Sequence, residues 1–88
     1  KKVKGKYGVV PADQVEEVCT RFKVKREVII DAINTLAGPK GQNGVKEIQG
    51  GLADKYPAEL KLMAMGGERL YSTKKGPKYV FDEIGKHA

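Results

Sequence analysis

The chain has 88 residues, a formal net charge of +6 and one cysteine. That length holds one domain with one small core, and a lone cysteine excludes an internal disulfide framework. The apolar run Val28-Ile29-Ile30 falls far short of the ~18 residues that cross a bilayer, while the positive balance favours a polyanionic partner.

Taken in chain order, Lys4 to Val10 has the β-favouring residues Tyr7, Val9 and Val10 and is expected to form a short strand, weakened by Gly5. Pro11 suits a helix start. From Ala12 to Arg21 the spacing of Val15, Val18, Cys19 and Phe22 is that of an amphipathic helix, and Asp13 lies in its first turn. Lys23 and Val24 form a turn. A second helix is expected from Lys25 to Leu36, with Val28, Ile29, Ala32, Ile33 and Leu36 inward, stopped by Ala37-Gly38-Pro39.

Residues 15–34 place an apolar residue at Val18, a small one at Cys19, and apolar residues again at Phe22, Val24, Ile29, Ala32 and Ile33. Two short helices packed at a steep angle need a small side chain where they cross and a tight turn between them. The window resembles the helix-turn-helix of bacterial and phage DNA-binding regulators, following their F-x-V-x-R-x-x-V-x-x-A-x-N cadence from Phe22 to Asn34 with Ile29 in the place of its second valine. It departs from that pattern at Lys23, where glycine is usual, and at Lys25, where a Ser or Thr cap is usual. The resemblance covers 20 of 88 residues. It implies that the second helix enters the major groove, with Lys25, Arg26 and Asn34 as base- or phosphate-contacting residues. Glu27 and Asp31 lie four apart on that helix, an arrangement that sets two carboxylates near phosphates.

Residues 38–44, GPKGQNG, read as a flexible loop or as a turn at Asn43-Gly44, opening a connection that runs to residue 56. They lack the GK[ST] ending of a phosphate-binding loop. Val45 to Gln49 is too short to classify and is compatible with one helical turn. Pro57 to Met65 is expected to be a third helix, with Leu60, Met63 and Ala64 inward and Gly66 at its end. Glu68 to Ser72 and Lys78 to Asp82, separated by TKKGP, are expected to form a β-hairpin with a lysine-bearing tip, followed by a polar tail from Glu83. The hairpin resembles the wing of winged-helix proteins, although a helix at 57–65 would disagree with their element order.

The expected fold is therefore α+β: a helix-turn-helix pair, a third helix and a small antiparallel β-hairpin sheet, in one domain over 1–88. Its parts are a basic arm or strand (1–10), the helix pair (11–37), the glycine-rich connection (38–56) and the helix with hairpin and tail (57–88). Residues 1–10 carry a net +4, residues 11–34 a net −1 and residues 67–88 a net +2, so the basic character sits at the ends of the chain. Lys1, Lys2, Lys4 and Lys6 of the arm and Lys74, Lys75 and Lys78 of the hairpin are the candidate phosphate contacts. Tyr71 and Tyr79, with Tyr7, are candidate stacking residues.

Cys19 fits the small site between the helices. A single histidine at His87 gives no Cys/His metal set, and no carboxylate pair has acid/base spacing, so no cofactor, metal or catalysis is expected. The expected function is a small basic DNA-binding protein, regulatory or architectural. A protein-interaction module drawing on Glu16, Glu17, Glu27, Asp31 and the surplus apolar Ile30 is the alternative, and RNA binding through exposed tyrosines is a third. No secretory-signal pattern is present, and the chain starts at Lys1, which fits processing or excision from a longer protein. A soluble, cytoplasmic protein is expected; no heptad seam indicates an oligomeric state.

Overall fold

The computed structural model describes residues 2–37, 42–74 and 76–86. Two strands open the chain, β1 (Val3–Lys4) and β2 (Gly8–Val10), followed by helices α1 (Ala12–Arg21) and α2 (Arg26–Ile33). Then come β3 (Gly44–Glu47), a 3-10 turn (Gly51–Asp54), β4 (Ala58–Lys61), a second 3-10 turn (Met63–Met65), β5 (Glu68–Lys74) and β6 (Tyr79–Lys86). The six strands form one curled sheet in the order β1-β2-β6-β5-β4-β3. Every neighbouring pair is antiparallel except β2 and β6, which run parallel.

This architecture corrects the expected fold. The α1 and α2 segments are helical, but they lie against a six-stranded mixed sheet instead of forming a three-helix unit with a small hairpin. The expected third helix at 57–65 is β4 plus a 3-10 turn. Its apolar residues obey period two: Ala58, Leu60 and Leu62 are buried, while Met63 and Ala64 are exposed. The expected helical turn at 45–49 is β3, with Val45 facing the core and paired with Leu60. The expected polar tail from Glu83 continues β6, where Leu70 pairs with Ile84 and Glu68 with Lys86.

Both helices occupy one face of the sheet, α1 against β6 and α2 against β1, β3 and β4. Val18, Ile29, Ile33, Leu60, Leu62, Leu70 and Phe81 are wholly buried between the layers, each worth about 1.5–3 kcal/mol on transfer from water. Cys19 and Phe22 pack on the rim of this core. The link between the helices reverses at Lys23, whose φ of 55° is the left-handed conformation that glycine adopts most readily. So Lys23 takes the backbone conformation expected of glycine without being glycine.

Helix α2 ends three residues earlier than expected, because polar side chains occupy its last carbonyls. Asn34 Nδ2 donates to the Ile30 carbonyl (3.0 Å) and Thr35 Oγ1 to the Asp31 carbonyl (2.9 Å). Leu36 is half exposed and bridges to Val45 instead of facing the core. The following backbone covers the outer edge of β3, with Ala37 N–H donating to the Val45 carbonyl and Val45 N–H to the Thr35 carbonyl. The expected Gly38-Pro39 stop lies outside the described residues.

Candidate nucleic-acid interface

The N-terminal basic segment is not a free arm. It folds as a tight hairpin, with Val3 opposite Val10, Lys4 opposite Val9, and Gly5 N–H donating to the Gly8 carbonyl (2.8 Å). Its turn sits on the C-terminus of α2: Tyr7 N–H donates to the Ile33 carbonyl (2.9 Å) and Lys6 N–H to Asn34 Oδ1 (2.7 Å). Gly5 permits this seating, since a Cβ there would stand 2.5 Å from Ile33 Cγ1.

Strand β2 then pairs in parallel with β6, Gly8 opposite Tyr79 and Val9 opposite Val80. Gly8 is needed because a Cβ would approach Phe81 Cε2 to 2.3 Å. Strand β6 leaves the hairpin tip at residues 76–78, so the pairing sets that tip beside the N-terminal turn. Directly paired residues share a face of a sheet. Lys4, Val9 and Val80 consequently form a row on the face away from the helices, and exposed Lys74 pairs with Val80 just past a β-bulge at Ser72/Lys74, at the end of that row. Three strand spacings separate its two lysines, about 14 Å between backbones. Lys6 lies in the turn, its Nζ 5.2 Å from the centre of the Tyr7 ring, and Lys78 immediately precedes Tyr79.

All four lysines of this cluster, Lys4, Lys6, Lys74 and Lys78, are exposed, as is Lys2 just upstream of β1. The expected contacts Lys1 and Lys75 lie outside the described residues. Val9 and Val80 both lie in segments expected to be strands, but their parallel pairing, which sets the row's spacing, leaves no local pattern in the sequence. Acidic groups border the cluster: Asp82 accepts from Thr73 Oγ1 (2.8 and 3.0 Å), and Glu47 is close enough to act on Tyr79.

The second helix presents a different surface. Lys25 is extended at its N-terminus, Arg26 is its first residue, and both are exposed. Beyond them Glu27, Ile30 and Asp31 face solvent. Arg26 and Ile33 are seven residues apart, about 10 Å along the axis, and the Ile33 end is the one that meets the N-terminal turn. Lys25 and Arg26 therefore stand at the opposite end of α2 from the lysine cluster. Asn34, the expected adenine contact, has its amide oxygen on Lys6 N–H and its amide nitrogen on the Ile30 carbonyl.

The tyrosines turn inward. Tyr71 is 5% exposed, its hydroxyl donates to the Lys86 carbonyl (3.0 Å), and its ring lies against Tyr56 at 4.9 Å. Tyr79 packs on Phe81 with ring centres 6.4 Å apart. Burial, reinforced by the Glu47 carboxylate, raises the Tyr79 phenol above its ordinary pKa. Tyr7 is half-buried against the core. Tyr71 thus has no open ring face for stacking on a base, and Tyr7 and Tyr79 are each partly covered by the core.

Among the described residues no group of three or more His, Cys, Asp or Glu is arranged to hold a metal ion. No helix among them is long and apolar enough to cross a membrane. Compared with protein-family models, curated proteins and solved structures, the chain matches none.

Proposed function

We propose that this protein binds duplex DNA through the sugar–phosphate backbone, using the lysine cluster where the N-terminal hairpin meets the β5–β6 tip, in an architectural role. The observation that carries the reading is the parallel pairing of β2 with β6, which draws Lys4, Lys6, Lys74 and Lys78 from opposite ends of the sequence to one end of the sheet. Ammonium groups carried about 14 Å apart on flexible stems reach phosphates on both sides of a groove. In this reading α1 and α2 are scaffold. Base discrimination is weak, because the Asn34 amide is spent inside the fold. Single-stranded RNA is disfavoured by the inward-turned tyrosine rings. We assign the protein to the cytoplasm, where the unpaired thiol of Cys19 stays reduced.

Fluorescence anisotropy on a labelled duplex across a salt series tests this. Four phosphate contacts give a slope of about −3 to −4 in log affinity against log salt, and Lys6→Glu with Lys78→Glu lowers its magnitude by about two. Absence of binding at low salt, or a slope unchanged by the double substitution, refutes the proposal.

One observation favours a second reading, a protein-interaction module. Ile30 is 36% exposed between Glu27 and Asp31 on the outer surface of α2, and an apolar spot within an acidic surface suits a basic protein partner. Loss of a captured partner on Ile30→Asp, with DNA affinity absent in the wild type, would favour it.

A further inference from the structure

The lysine cluster frames an apolar strip that phosphate contacts leave unused. Val9 and Val80 are directly paired across β2 and β6, with Lys4 beyond Val9 on β1 and Lys74 beyond Val80 on β5. Both valines are half-buried and stand outside the core cluster, on the face away from the helices. Strand alternation sends their neighbours Val10 and Phe81 to the opposite face, where both are wholly buried. The order across four strands is therefore lysine, valine, valine, lysine. Asp82 bounds the strip along β6, its carboxylate held by Thr73 Oγ1 (2.8 and 3.0 Å).

Dimensions decide how such a strip meets a duplex. It spans about 14 Å between backbones, wider than the minor groove of B-form DNA (about 6 Å) and the major groove (about 12 Å). It therefore lies across a groove, not in it, and valine is too short to reach a floor about 7.5–8.5 Å deep. The two phosphate backbones stand closest across the minor groove. There each lysine meets one backbone, and the valines between them rest on the deoxyribose of the groove's rims. A-form RNA changes that surface, because its minor groove is wide and shallow and displays 2′-hydroxyls. Valines set on those hydroxyls would strip them of water without supplying a hydrogen-bond partner.

On the duplex-binding reading above, we propose that Val9 and Val80 select DNA over RNA. They rest the sheet on the sugar rims of the B-form minor groove while Lys4 and Lys74 hold the phosphates on either side. Anisotropy titrations of labelled DNA and RNA duplexes of one sequence, at one low salt concentration, read the selectivity. DNA is expected to bind about tenfold or more tighter than RNA. Val9→Thr with Val80→Thr keeps the branched shape and β preference of both sites while offering hydroxyls to the ribose. It should narrow the ratio to about threefold or less, mainly by tightening RNA binding. The thermal melt and the salt slope on DNA should stay as in the wild type, since the lysines are untouched. Equal affinity for the two duplexes in the wild type, or a ratio unmoved by the double substitution, would overturn the proposal while leaving DNA binding intact. Absence of binding to either duplex would overturn the duplex-binding reading itself, and the proposal with it.

Discussion

Gly8→Ala puts the pairing that assembles the lysine cluster under direct load. The added Cβ would stand 2.3 Å from Phe81 Cε2, 3.0 Å from Phe81 Cδ2 and 3.2 Å from the Tyr79 carbonyl. Carbon atoms pack at about 3.5–4.0 Å, so the ring must withdraw by more than about 1 Å or β2 must lift from β6. Phe81 is wholly buried, so its ring cannot swing out into solvent without opening the core. Overpacking of this kind costs about 1–3 kcal/mol, and a contact this close belongs at the upper part of that range, about 2–3 kcal/mol. In an 88-residue chain each 1 kcal/mol moves the melting midpoint by about 4–8 °C, so a fall of about 10–20 °C is expected by circular dichroism. The pair Gly8→Ala with Phe81→Leu should recover about 1 kcal/mol relative to the sum of the single effects. A Gly8→Ala protein within about 0.5 kcal/mol of wild type would show that β2 does not lie against Phe81, and the cluster would lose its basis.

Four further outcomes follow. Asn34→Ala leaves Lys6 N–H without its partner, so it should cost about 1 kcal/mol of stability in a urea melt and leave DNA affinity within about twofold; unchanged stability with lost affinity would restore Asn34 as a base-contacting residue. Lys23→Gly relieves a left-handed backbone at φ 55° and should raise stability by about 0.5–1 kcal/mol; a destabilised variant would contradict that turn. Lys25→Ala with Arg26→Ala should change the anisotropy salt slope by less than about one unit, whereas a fall of about two would bring α2 into the interface. Tyr79 gives a pH test. Its phenol pKa is raised in the folded chain, so the contribution is whole below about pH 10 and is lost as pH rises through the folded value. Tyr79→Phe should flatten that alkaline loss in melts from about pH 8 to 11, and an unaltered profile would count against burial of the ring.

The two helices were legible because Val15 and Val18, then Ile29, Ala32 and Ile33, repeat at helical spacing and are buried. So was the β5–β6 hairpin, from its apolar strands and lysine-glycine-proline tip. The rest of the sheet was hidden for separate reasons. Residues 58–65 carry apolar side chains at spacings that serve both periods. Only the burial of Leu62 and the exposure of Met63 distinguish the strand from a helix. The β2–β6 pairing joins residues some 70 positions apart, and no local pattern announces such a contact. Asn34 matched a cadence, yet its amide was drawn by the nearest unsatisfied groups, the Lys6 N–H and the Ile30 carbonyl. For the candidate site, the lysines could be named from their positions at the chain ends. Their convergence could not, because it depends on the glycines that let β2 close on Phe81 and the turn close on Ile33.

An amide chemical-shift map of the full chain against a short DNA duplex at low salt locates the interface. The largest shifts are expected on Lys4, Lys6, Val9, Lys74, Lys78 and Val80, and added salt should reverse them. Shifts concentrated on Lys25 to Asp31, or none at all, would contradict that placement.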